Sequence, residues 1–167
     1  MSVTPVTPVT PVPTADLYDE HGEGLGICTT QFRPFGGRRL FAGSVRTLAC
    51  HEDNALLREL VHTPGGGAVL VVDGGASLHT ALVGDLLAGA AQRNGWAGLI
   101  INGAVRDSVA LGALDLGIKA LGTVPRKSGK TGAGTVDEPV TIGGLTFRTG
   151  AVVHADDDGV VLLPAAD

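Results

Sequence analysis

"GAVLVVDGGASLHTALVGDLLAGAAQRNGWAGLIINGAV", residues 67–105, decides the fold. It opens on Val69-Leu70-Val71-Val72, a continuous apolar run closed by Gly74 and Gly75, which is how a strand buried on both faces reads. "WAGLIINGAV", 96–105, repeats that pattern. Between the two, "SLHTALVGDLLAGAAQRNG", 77–95, reads as helix with an interruption at Gly84. Strand, helix and strand in succession make a βαβ unit, expected to be right-handed with its strands parallel.

Outward from this unit the signals stay α/β. "RRLFAGSVRTLACH", 38–51, has the β-branched and aromatic content of a strand, with a bulge expected at Gly43. "EDNALLRELVH", 52–62, places Ala55, Leu56 and Leu60 at helical spacing and stops before Pro64. "IKALGTVP", 118–125, reads as a third strand after a short helix over 108–114. "VTIGGLTFRTGAVVHADDDGVVLLP", 140–164, gives short strands joined by Gly-Gly and Asp-Asp-Gly turns, which favours hairpins. Thr14 is placed to cap a short helix through "ADLYDEH". The expected architecture is one α/β domain over 14–167 with a mixed, partly layered sheet. In front of it, "MSVTPVTPVTPVP", 1–13, is expected to be a flexible arm, polyproline-like or disordered, because each proline removes a donor and pushes its predecessor toward extended conformations.

Composition narrows function before any motif is considered. At 167 residues the chain can bury a core of its own, and its 26 glycines against four Phe, one Trp and one Tyr imply tight turns around Val, Leu, Ile and Ala. A formal charge of −5 with 17% charged residues gives no electrostatic footprint for nucleic acid, so any link to RNA runs through a protein. Cys28 and Cys50 have no metal-type spacing and read as reduced core thiols. The N-terminus has no basic stretch followed by an apolar segment, and no apolar run approaches the roughly 18 residues that span a bilayer. A cytoplasmic location without membrane contact is the expectation.

The site follows from chain geometry. A helix from near Asp85 to Asn94-Gly95 carries the chain about 15 Å at 1.5 Å per residue, and a strand over 97–103 returns it roughly 20 Å. Arg106 and Asp107 therefore land beside the helix start, at the carboxyl edge of the parallel strands where open α/β sheets hold ligands. There they face the free amides of Gly84, Asp85, Leu86 and Leu87, which with the helix dipole suit a small anion. Arg106 matches a carboxylate as a planar fork, while Asp107 and Asp85 offer hard oxygens suited to Mg²⁺ or Mn²⁺. The competing local reading is an Arg106–Asp107 ion pair that caps the helix at 108, with Asp85 an ordinary first-turn acid.

Other patterns carry less. "SGKTGAG", 128–134, contains Gly-Lys-Thr but has Val124 where a phosphate-binding P-loop needs glycine, and no helical pattern follows. With "PRK" before it, this is a basic, glycine-rich loop, either solvated or lining a pocket for a diacid. "GASLH", 75–79, has His79 where a nucleophile elbow needs its second glycine. No G-x-G-x-x-G follows a strand, and no comparable glycine motif for S-adenosylmethionine is present. The five histidines lack ligand spacing, and "ADDDG", 155–159, reads as a turn between strands.

Over 14–164, including "FGGRRLFAG", "HEDNALL", "ADDDGVV" and the stretch from "VLVVDGG" to "SGKTGAG", the chain resembles the family named for the regulator of ribonuclease activity A, which includes 4-hydroxy-4-methyl-2-oxoglutarate aldolases. Asp85, twenty intervening residues, then Arg106 and Asp107 match the D-x20-R-D pattern of the aldolase branch. The resemblance implies a swivelling β/β/α domain assembled as a homotrimer, its sites at subunit interfaces. It implies substrate contact by Gly84, Asp85, Leu86, Leu87 and Arg106, catalytic roles for Arg106 and Asp85, and metal ligation by Asp107 with Asp85 acting through water. Longer aldolase members add an acidic residue from a C-terminal extension of the neighbouring subunit, which has no counterpart before Asp167.

The implied activity is a metal-dependent lyase that splits 4-hydroxy-4-methyl-2-oxoglutarate into two pyruvates and decarboxylates oxaloacetate through the same enolate. The alternative is a non-catalytic inhibitor that docks on an RNA-degrading endonuclease, and Asp107 discriminates between the two. A methyltransferase role, also attached to relatives, has no support in this sequence.

Overall fold

The computed structural model describes residues 8–165 and forms a single mixed α/β domain. Its centre is a parallel set, β3 (Phe41–Ala49), β4 (Val69–Asp73), β6 (Gly98–Val105) and β7 (Gly117–Thr123), side by side in that order, with the expected parallel pair β4 and β6 in the middle. Val69 to Val72 and Leu99 to Ile101 are fully buried, because the strands are covered on both faces. Alternate residues serve two cores. Leu70, Val72, Leu99 and Ile101 pack toward α2 (Ala55–Val61), α3 (Asp85–Arg93) and α4 (Ser108–Leu111). Val69, Val71 and Ile100 pack toward Phe41, Phe147, Val153 and Val160.

The second face belongs to antiparallel strands. β9 (Val140–Ile142) and β10 (Leu145–Phe147) form one hairpin, turning at Gly143-Gly144, and β11 (Val152–Ala155) and β12 (Val160–Leu162) form another, turning at the three aspartates. The first half of β3 pairs with β11 and the second half with β4, so one strand carries the sheet from antiparallel to parallel. β1 (Gly26–Cys28), β2 (Arg33–Pro34) and β8 (Thr135–Val136) are short additions on β12, β7 and β3. Gly98 and Gly117 lie under the Phe41 ring, where a Cβ would come within 2.5 and 2.2 Å of ring atoms.

Three local expectations are corrected. Residues 77–95 are not one interrupted helix: 81–83 form β5 (Ala81–Val83), which pairs with the end of β6 beyond the reach of β4, and α3 starts only at Asp85. Ala81, Leu82 and Val83 are buried in strand geometry, and Gly84 is extended at φ −122°, ψ −166°. Gly43 makes no bulge, since the β3–β11 register runs through it unbroken; a Cβ there would lie 2.3 Å from the Gly67 carbonyl. Thr14 is the first residue of α1 (Thr14–His21) rather than its cap, because its amide and hydroxyl both donate to the Asp156 carboxylate.

Residues 1–7 of the expected arm lie outside the described residues. Nearer the domain, the Val12 amide donates to Nδ1 of buried His154, and Val12 packs beside Leu17, Leu25 and Val161. Both cysteines are free and buried, as expected. Among the described residues no helix is long and apolar enough to cross a membrane.

Candidate functional site

The return from α3 through β6 brings Arg106 and Asp107 to the start of α3, as the chain geometry requires. The Arg106 amide donates to the Val83 carbonyl at 2.9 Å, locking the end of β6 to the end of β5. Asp107 then adopts a left-handed conformation, φ 59° and ψ 40°, which aspartate tolerates better than most residues. This turn swings its carboxylate back over α3, where Oδ2 accepts the Asp85 amide at 3.0 Å. Gly84 fits closely beneath: a Cβ at that position would lie 2.6 Å from Asp107 Oδ2 and 3.2 Å from Arg106 Cγ.

The local capping alternative is therefore not what forms. The Asp107 side chain makes no cap on α4, and its separation from Arg106 Nε is 4.0 Å, a loose pair. It occupies one of the four amides instead. The first turn of α3 closes with the Ala88 amide on the Gly84 carbonyl, so the Leu86 and Leu87 amides have no acceptor within the helix. Leu86 is 81% exposed, whereas Leu87 packs against the core. Arg106 touches the Pro125 carbonyl at 3.4 Å and leaves most of its five donors free.

The facing wall is the basic, glycine-rich loop, exposed along most of its length but pinned to the domain through Ser128 and Thr131. Asp53 is buried, and its carboxylate takes the Thr131 amide at 2.5 Å, the Thr131 hydroxyl at 2.7 Å and the Gly132 amide at 3.2 Å. The Thr131 amide and hydroxyl above all, with the Ala55 and Gly132 amides, hold the Asp53 carboxyl at about 2. Ser128 donates to the Ala81 carbonyl, and Lys130 Nζ donates to Asn54 Oδ1 at 2.9 Å. Asn54 in turn donates to the Leu82 carbonyl, so β5, α2 and the loop form one hydrogen-bonded unit.

Between the walls lies a cleft of about 440 Å³. Arg58, Arg93, Arg106, Lys127 and Lys130 line it against two acids, Asp85 and Asp107, a concentration of positive charge in a chain of net charge −5. The sequence reading missed Asn54, Arg58 and His62, although their i, i+4, i+8 spacing puts them on one stripe along α2.

As a metal set the residues are sparse. Among the described residues no three His, Cys, Asp or Glu side chains are arranged to hold an ion. One or two hard carboxylates fit Mg²⁺ or Mn²⁺ completed by water and a chelating ligand, and do not fit a structural zinc site.

A cationic cleft at the carboxyl edge of parallel strands, with a second antiparallel layer behind, defines a class of small α/β domain in which ligands meet helix amides. The family model RraA-like, Aldolase/RraA, matches residues 14–162, and the chain belongs to that family. It is similar to the RNA-processing inhibitor RraA from Thermus thermophilis, at 45% identity over 95% of this chain and 96% of that one, with a TM-score of 0.89. A Geobacillus kaustophilus structure, described as an S-adenosylmethionine:2-dimethylmenaquinone methyltransferase, is 44% identical over 93% and 96%, TM-score 0.90. Streptomyces coelicolor RraAS2, described as an unusual member of the RNase ES inhibitor RraA family, is 29% identical over 90% and 77%, TM-score 0.72.

Proposed function

We propose that the chain is a divalent-metal-dependent lyase acting on 2-oxo acids, cleaving 4-hydroxy-4-methyl-2-oxoglutarate to two pyruvates and, more slowly, decarboxylating oxaloacetate. Family membership supports the aldolase class as one of the two roles its description covers. The observation that carries the reading is Asp107: a carboxylate turned by a left-handed backbone onto the first amide of α3, next to an arginine with unused donors.

Asp107 would hold Mg²⁺ or Mn²⁺, with Asp85 acting through water, and the ion supplies Lewis-acid polarisation of the 2-keto oxygen. The rest of the chemistry belongs to the protein. The Leu86 and Leu87 amides and the Arg106 guanidinium orient the C1 carboxylate. When the C3–C4 bond breaks, its electron pair passes from C3 toward the 2-keto oxygen, and the Arg106 charge stabilises the resulting enolate. The C4 hydroxyl proton leaves through water at the Asp85 carboxylate, and the enolate takes a proton from water at C3 to become the second pyruvate. Loss of CO₂ from oxaloacetate gives the same enolate, which is why the second activity accompanies the first.

The active form in this reading is a homotrimer with its clefts at subunit interfaces. Leu86 and Val109, 81% and 92% exposed near the cleft, are the apolar surface such an assembly would cover. The test is a coupled pyruvate assay with Mg²⁺ or Mn²⁺. Pyruvate release from both substrates, abolished by EDTA and by Asp107→Ala, is expected; equal turnover by wild type and Asp107→Ala overturns the reading.

A second reading has one observation of its own. The 45% identity to an RNA-processing inhibitor supports docking on an RNA-degrading endonuclease, without direct contact to nucleic acid. Stoichiometric inhibition of that nuclease, unchanged by EDTA, is its signature.

A further inference from the structure

We propose that His154 is a proton-operated latch for the segment leading into α1: the neutral imidazole holds residues 8–13 against the outer face of β11 and β12, and the protonated ring lets them go.

Proline decides where such a segment can be held. Pro11 and Pro13 have no amide hydrogen, so Val12 carries the one main-chain donor of residues 11–13. That donor goes to His154 Nδ1 at 3.1 Å. Along β11, Val153 and Ala155 pack into the antiparallel core, which turns His154 to the other face beside its cross-strand partner Val161. Val161 packs there with Leu17 and Leu25, and Val12 lies against the same group. At this contact His154 is only 2% exposed.

Accepting the bond fixes the state of the ring. Nδ1 must offer a lone pair, so the ring proton sits on Nε2; a second proton, on Nδ1, would set N–H against N–H in a buried contact. Among the described residues no acid is placed to favour that second charge. Asp156 on β11 receives the Thr14 amide and hydroxyl and the Asp158 and Gly159 amides. On α1, Asp16, Asp19 and Glu20 are exposed and His21 turns to Glu20, while Arg46 on β3 is paired with Asp137. Residues 8–13 and β12 carry no charged side chain. Burial alone lowers the His154 pKa from its ordinary 6.5. The docked state therefore binds fewer protons than the released one, and its advantage, full above about pH 6.5, shrinks as pH falls below that value. Asp156 is a separate anchor, holding the Thr14 amide and hydroxyl at 2.7 Å each, so α1 stays seated while the residues before it lift.

The experiment is amide hydrogen exchange followed residue by residue by NMR at pH 7.5 and 5.0, expressed as protection relative to the intrinsic rate at each pH. In wild type the Val12 amide should be protected at least ~10-fold at pH 7.5, the scale of one hydrogen bond, and should lose that protection at pH 5.0 while the α1 amides keep theirs. His154→Asn puts an acceptor oxygen near the place of Nδ1 and does not titrate, so Val12 should stay protected at both pH values. His154→Phe, with no acceptor, should leave Val12 unprotected at both. Equal protection of Val12 in wild type at the two pH values, or a loss at pH 5.0 that His154→Asn repeats, overturns the latch, as does loss of α1 protection together with that of Val12.

Discussion

The two walls of the cleft are opposites in how they are held. The loop wall is bound before any ligand arrives, through a buried carboxylate with contacts between 2.5 and 3.2 Å and a serine bonded to β5. On the Arg106 wall the guanidinium has one bond at 3.4 Å and a loose pair at 4.0 Å, Asp107 holds only the Asp85 amide, and both side chains are more than a third exposed. A guanidinium with most of its donors unspent gains them from a ligand, whereas a clamped loop gives a fixed surface against which the ligand is measured. Chemistry is expected at the loose wall and selectivity at the rigid one.

The largest expected effect breaks the loose wall. In the proposed lyase, Arg106→Ala removes the charge assigned to the enolate and should lower kcat by about 10² to 10³, ~3 kcal/mol of barrier, by analogy with loss of one oxyanion donor. Its melting temperature should match wild type, because the Arg106 side chain makes no short bond to the fold and its backbone bond to Val83 survives the change. A large fall in stability with little fall in kcat would make Arg106 a structural residue and erase the contrast. Gly84→Ala comes next: a methyl 2.6 Å from Asp107 Oδ2 pushes that carboxylate off the Asp85 amide. The crowding should cost about 1–3 kcal/mol in chemical denaturation and reduce metal-dependent turnover together.

Breaking the rigid wall should act on binding. Asp53→Asn replaces an acceptor of four donors by a group that is half donor, so the loop loosens and KM rises several-fold while kcat holds. The same change alters the acid limb of stability. With the folded carboxyl held at about 2, below the ordinary 3.8, its contribution is present above pH 3.8 and is lost as pH falls toward 2. Denaturation followed from pH 5 to 2 should therefore show a steeper decline in wild type than in Asp53→Asn.

Much of this was legible in the sequence, for physical reasons that also mark where legibility ends. Val69–Val72 and Leu99–Ile101 declare buried strands because both faces are covered and no polar residue interrupts them. Asp85, Arg106 and Asp107 were brought together by arithmetic on helix rise and strand rise. Ala81–Val83 was misread because three apolar residues ahead of a helix carry no period of their own, and only pairing with Ala104 and Val105 makes them a strand. The loop was read as basic and glycine-rich, but its clamp joins residues 78 apart, and no local spacing announces a contact of that range. Asn54, Arg58 and His62 had the spacing of a helix face, yet a polar stripe is ordinarily solvated and became a wall only when the loop closed over it.

The smallest effect is also the cleanest report on the clamp. Cys50 follows the last residue of β3 beneath the loop, 4% exposed, its thiol pushed up to about 12 by burial with the nearby Asp53 and Asp73 charges adding to the rise. Gly134 lies directly on it: a Cβ on that glycine would sit 3.3 Å from Cys50 Cβ and 2.3 Å from the Ala49 carbonyl. A thiol reagent reaches Cys50 only if residues 131–134 lift. Wild-type protein at pH 8 should resist alkylation at Cys50, and Asp53→Asn should label measurably faster with its secondary structure intact, while Arg106→Ala labels at the wild-type rate. Labelling that is equally fast in Arg106→Ala and Asp53→Asn would mean that the two walls open together, and the division between a reacting side and a measuring side would not hold.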